Sequence, residues 1–251
     1  MKKLAVALLC VLTVLVAHAS HGRFGSESIS YRVMYKWGLI NKQAGTATLT
    51  LRPEGNMYRA CLTAASEHWA DKFFMVRDTL NGTMNQLTLA PVFYEKIAHE
   101  GNDDKHDTVR FSYSGNSVKG ECTRVEYHKG ELRKDEKRIL EATGTTVDML
   151  TSFYYMRALP FENWKPGHKE VISIFSGKQK ETLTFWYRGI EPVVVDDTRY
   201  QCYHITFVFT GAGGKTTSDN MDAWITTSSA RIPVLLEGKL PVGKVKCEII
   251  R

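Results

Sequence analysis

Ser28-Ile29-Ser30-Tyr31-Arg32-Val33-Met34-Tyr35-Lys36-Trp37 is the stretch that decides the fold class. Ile29, Tyr31, Val33, Tyr35 and Trp37 alternate with a mostly polar set. A strand turns successive side chains to opposite faces, so this period of two predicts a strand with one wide aromatic face. After a turn near Asn41-Lys42, Ala47, Leu49 and Leu51 alternate with Thr46, Thr48 and Thr50. Pro53-Glu54-Gly55-Asn56 then turns the chain into Tyr58, Ala60, Leu62 and Ala64. Three strands with short connections make an antiparallel meander.

The same alternation predicts strands over 92–100, 106–114, 117–128 and 131–141, and again over 169–177, 179–188, 191–195, 199–210, 222–227, 232–237 and 244–250. Only Thr146–Leu159 clearly breaks the rhythm. Leu150, Phe153, Tyr154 and Arg157 fall at helical spacing, Thr145 or Thr146 can cap the start, Asp148 suits its positive end, and Pro160 stops it. A weaker helical turn is predicted over 66–74, where His68, Trp69, Phe73 and Phe74 cluster. So many strands cannot lie in one flat sheet, because twisted sheets curl as they widen. The expected fold is mainly β: a large antiparallel curved sheet forming a barrel or half-barrel, with one main helix (about 146–159) packed against it. A two-layer sandwich is the alternative. Residues 20–141 and 168–251 could be two β halves around the helix, but no shared motif links them.

Met1-Lys2-Lys3, the apolar run Leu4 to Val16 and the small-residue site Ala17-His18-Ala19 form the three-part pattern of a secretory signal peptide. As a helix the run spans about 20 Å, short of a bilayer core of roughly 30 Å. The expected organisation is therefore a signal peptide over 1–19 and one β-rich domain over 20–251, with no transmembrane segment. Loss of Lys2 and Lys3 lowers the formal net charge from +6 to +4. No basic run exceeds two residues, so no nucleic-acid partner is expected. Cys61, Cys122, Cys202 and Cys247 lie far apart without a C-x-x-C pair, which removes zinc-ribbon and thioredoxin-like readings and leaves any disulfide pairing open.

Hydrolase elbows, zinc-protease, P-loop and dinucleotide motifs are absent, so no catalytic residue, metal or cofactor is assigned. His99 to Asp107 could bring two imidazoles and several carboxylates to one hairpin tip, although charged tips are common because loops must be solvated. Asp196-Asp197, or Asp219 with Asp222, could supply paired carboxylates, with a plain turn as the competing reading. Gly211-Ala212-Gly213-Gly214-Lys215 lacks the ending of a phosphate loop and reads as a hairpin connection. Aromatic strand faces stand out more. A curved sheet lined by rings, with a helix as lid, can enclose an apolar ligand, and the candidate binding residues are Tyr31, Tyr35, Trp37, Leu150, Phe153, Tyr154 and Trp224. A filled barrel has the same alternation.

Three stretches together resemble an uncharacterised family of exported bacterial proteins, the domain-of-unknown-function 3108 type. They are Tyr31 to Gly45, Asp148 to Arg157, and Ala223-Trp224-Ile225-Thr226 with Arg231-Ile232-Pro233-Val234. The resemblance spans nearly the whole chain after the leader and implies no activity or site residue. In architecture the chain is loosely similar to the LolA and LolB lipoprotein-carrier half-barrels. The reading is an exported, periplasmic, non-catalytic protein whose sheet and helix hold a lipid or other apolar ligand, of unassigned oligomeric state. An envelope glycan or ester hydrolase, and a structural protein with a filled barrel, are the alternatives.

Overall fold

Alternation becomes fifteen described strands in one sheet. The computed structural model describes residues 22–211, 214–216, 219–240 and 242–250; the predicted signal peptide lies outside them, as do Ala212 and Gly213 of the glycine-rich loop. In chain order the elements are β1 (Glu27–Trp37), β2 (Ile40–Glu54), β3 (Met57–Ser66), α1 (His68–Asp71), β4 (Val76–Asn85), β5 (Pro91–Glu100), β6 (Asp103–Ser114), β7 (Ser117–His128), β8 (Glu131–Thr143) and β9 (Thr146–Val147). Then come α2 (Met149–Ala158), a single 3-10 turn (Phe161–Asn163), β10 (Lys169–Phe175), β11 (Lys180–Val195), β12 (Thr198–Thr210), β13 (Met221–Thr226), β14 (Pro233–Lys239) and β15 (Lys244–Ile250).

The strand order is β8-β7-β6-β5-β4-β3-β2-β1-β15-β14-β13-β12-β11-β10-β9. All pairs are antiparallel except β9 with β10, and the sheet curls into a nearly closed barrel. The barrel expectation holds. Across the gap between its two edges, Arg138 Nη1 donates to the Lys178 carbonyl at 2.6 Å and Lys180 Nζ to that of Glu141 at 2.9 Å. Phe175 of β10 stacks on Phe111 of β6 with centroids 5.7 Å apart, and Gly120 of β7 makes room for it: a Cβ there would sit 2.5 Å from the Phe175 ring.

Register shows which residues face inward. Tyr31 lies opposite Ala47 and Ile249, Val33 opposite Gly45 and Cys247, and Tyr35 opposite Val245. Helix α2 packs on this inner face and parts two cores. On one side Leu150 and Tyr154 join Leu49, Leu51, Tyr58, Met84 and Tyr94; on the other Met156 joins Ile174, Leu183, Phe185 and Ile205. Leu150 approaches β4 closely because Gly82 has no side chain to obstruct it.

The helix begins later than the sequence suggests. Thr146 and Val147 are a short strand bonded to Ser173 and Ile174, so Thr146 cannot take the cap. Asp148 is the cap instead, accepting from the Thr151 backbone N–H and hydroxyl, both at 2.7 Å. The turn expected over 66–74 appears as α1. The predicted strands over 179–188 and 191–195 are one, β11, which continues through a bulge near Arg188.

Candidate binding cleft at the barrel rim

Three connections far apart in sequence meet at the end of the barrel away from the Asp148–Tyr154 core. They are the β1–β2 turn, the α1 link between β3 and β4, and the β14–β15 turn. Each delivers apolar side chains for a local reason. Trp37 and Ile40 are the last paired residues flanking the β1–β2 turn. α1 is a single turn whose Trp69 indole donates to the Gln43 carbonyl at 2.7 Å, leaving Phe73 and Phe74 beyond it. Gly243 has a positive φ of 81° and meets the Lys36 carbonyl so closely that a Cβ would lie 2.5 Å from it; this lets the β14–β15 turn sit against β1.

Between them opens a cleft of about 540 Å³, walled by Val33, Tyr35, Trp37, Trp69, Phe73 and Val245 among others. Its lining is almost wholly apolar. The Tyr35 hydroxyl is held by the Val242 carbonyl at 3.1 Å. β2 and β3 contribute Gly45 and Ala64 to the lining, which carry little or no side chain and leave the space open.

Further round the same inner face the wall turns polar. Register carries Lys96 opposite Asp107, Asp107 opposite Arg124, and Lys105 opposite Glu126. Lys96 pairs with Glu100 at 2.9 Å and Asp78 at 3.4 Å, Lys105 with Glu100 at 2.8 Å, and Arg124 with Asp107 and Glu126, each at 3.0 Å. Burial pushes the Asp78 and Asp107 carboxyls up, against Lys96 and Arg124 respectively. At Glu100 burial also opposes ionisation, but hydrogen bonds from Lys105 and Lys96 outweigh it and hold the group down at about 2. Asp78 Oδ1 and the Tyr94 hydroxyl have no hydrogen-bond partner. These charges neutralise one another in place, as expected of a wall rather than of a reactive group.

The predicted binding residues do not form one site. Tyr35 and Trp37 line the cleft. Tyr31, on the same face, is buried deeper and its hydroxyl donates to the Pro233 carbonyl at 2.9 Å. Leu150 and Tyr154 are packed in the core with Phe153 half-buried beside them, so α2 fills the barrel instead of covering a cavity. Trp224 is on the opposite face of its strand from buried Ala223 and Ile225, stacked on His204 at 4.7 Å and donating to Glu191 at 2.5 Å.

Of the other clusters, His99 pairs with Asp104 at 2.6 Å and His106 with Glu95 at 2.8 Å, as separate couples. Among the described residues no group of three or more His, Cys, Asp or Glu is placed to hold a metal ion. Asp196 and Asp197 form the β11–β12 turn with φ of 45° and 59°, and Asp196 is tied to Arg32 at 2.5 Å, so the turn reading holds there. The four described cysteines are free thiols.

Among protein families, the one described as "Protein of unknown function (DUF3108)" matches residues 30–250. No curated protein matches the chain. A solved structure similar to it is a beta-barrel-like protein of the domain of unknown function DUF1849 from Brucella abortus. Its TM-score is 0.63 at 8% identity, covering 92% of this chain and 98% of that one. The likeness is one of fold.

Proposed function

The chain belongs to the DUF3108 family of proteins of unknown function, and from that premise we propose that it is an exported, periplasmic binding protein that holds an acyl chain or similar apolar ligand in the rim cleft. The observation that carries the reading is the cleft: about 540 Å³ and almost entirely apolar. Small-molecule sites typically measure roughly 300–1,000 Å³ and combine apolar walls with few polar groups. Tyr35 and the neighbouring ion-pair wall supply polar groups near the apolar one, which suits a ligand with a polar head. Export rests on the leader pattern of residues 1–19, and N-terminal sequencing of the envelope protein should begin at or near Ser20.

The test is a fluorescent fatty-acid titration with thermal unfolding alongside. A ligand at a hundredfold excess over its Kd should raise stability by about 2.7 kcal/mol. Ala64→Phe, which puts a ring into the floor of the cleft, should abolish both signals. Retention of full binding by that variant would remove the cleft from the mechanism. Cleavage of an envelope glycan or ester without lipid binding would establish the hydrolase alternative instead.

A further inference from the structure

The cleft is rimmed by side chains that a folded protein would ordinarily cover. Leu39 is 106% exposed, Phe73 83%, Phe74 58%, Trp37 55%, Val242 52% and Leu240 42%. All except Leu39 line the one cleft, and Leu39 sits in the turn between two residues that do, so the six form a continuous apolar arc. Patches of this kind mark contact with a partner or a membrane.

Charge decides between those occupants. Lys36, Lys42, Lys72, Lys239 and Lys244 lie on the same three connections, and all five are exposed. None makes an ion pair among the described residues; Lys42 lies over the Trp69 ring at 4.8 Å. The carboxylates close by are engaged: Asp71 by Arg77 at 2.7 Å and Glu67 by Gln43 at 2.8 Å. The next tip along the rim, at Gly101, is acidic, with Asp103 on His128 and Asp104 on His99, so the cationic surface is an arc and not the whole rim. Exposed Trp, Phe and Leu ringed by unpaired lysines match the layering of an anionic bilayer surface. Rings and aliphatics enter the acyl boundary while ammonium groups reach lipid phosphates. A protein partner would have to present carboxylates at fixed positions to match the five lysines, whereas an anionic bilayer offers phosphates wherever they fall.

We propose that this arc, centred on Leu39, Phe73 and Phe74 and ringed by the five lysines, docks the protein on the surface of anionic phospholipid bilayers, without spanning them. The docking does not require the cleft to hold a ligand, but it would turn the mouth of the cleft to the lipid.

The test is co-sedimentation of the exported protein with vesicles of phosphatidylcholine containing about 30% phosphatidylglycerol, a composition chosen to give an anionic surface. Binding should fall about fivefold for each of Lys36→Glu and Lys239→Glu, and should weaken as salt is raised. Leu39→Asp should reduce it at least tenfold with an unchanged melting curve, because Leu39 is fully exposed and is not among the residues lining the cleft. Ala64→Phe, which blocks the cleft, should still bind vesicles, so failure of docking and failure of ligand uptake are read separately. Vesicle binding that is absent, or equal in parent and Leu39→Asp, overturns the proposal. So does a parent that self-associates in solution while Leu39→Asp is monomeric and vesicle binding is nil, since the arc would then be a contact between copies.

Discussion

Asp148 is fully buried, and that burial pushes its carboxyl up to about 6 although hydrogen bonds from Thr151 pull the other way. Between the unfolded value near 4 and the folded value near 6, the folded protein keeps a proton that the unfolded chain has released. Stability therefore falls as pH rises through that window, by up to about 3 kcal/mol. Glu100 has the opposite sign: held at about 2, it contributes stability that is present above its unfolded value and lost as pH falls through about 2. Asp148→Asn keeps a capping oxygen and removes the titration. Chemical denaturation across pH 4–7 should show a decline in the parent that is flattened in the variant; equal slopes would place the decline elsewhere. Sequence put Asp148 at the right end of the helix but left the cap to a threonine, because pairing of Thr146 with Ser173 in the sheet is a long-range fact. Arg157 was legible only as a helical repeat. In the fold it is fully buried, held by both Glu27 carboxylate oxygens and the Ala230 and Arg231 carbonyls, with the Phe24 ring 4.5 Å away.

At the level of elements, most strands were legible because one of their faces is apolar. β4 was not. Its inward positions read Val76, Asp78, Leu80, Gly82 and Met84, so an ion-paired carboxylate and a glycine under Leu150 interrupt the alternation. The cleft was legible only in Tyr35 and Trp37, since its other walls come from turns separated by up to two hundred positions and joined by the pairing of β1 with β2 and β15 and of β2 with β3. The same reasoning about small residues gives a prediction near the gap between β8 and β9, where Phe175 of β10 packs on Gly120. Gly120→Ala would force its methyl into the Phe175 ring, and overpacking of this kind costs about 1–3 kcal/mol. Gly115→Ala serves as the comparison: nothing lies within 4 Å of the added carbon, and any loss would come from its φ of 56°. Urea unfolding should show a loss in Gly120→Ala that Phe175→Leu partly restores; no rescue would mean the strain is not at that ring.

For the whole molecule, the gap in the barrel falls mid-chain, between β8 and β9, while β1 and β15 are paired partners at the centre of the sheet order. Ser30 lies opposite Ile250, which brings the two described ends together. A short linker joining them, with a new opening at the Lys129-Gly130 turn, should leave the barrel intact by circular dichroism and still cooperative in unfolding; loss of the sheet signal would show that the β7–β8 connection is needed for pairing. The partnership of β1 with β15 also sets a timetable. As the chain leaves the ribosome, β1 is made long before β15 and must keep one edge vacant until that strand, about two hundred positions further on, has been added. Until β15 emerges the domain is thus an unclosed sheet whose central hydrogen bonds wait on a distant strand, a form that holding chaperones can still keep unfolded.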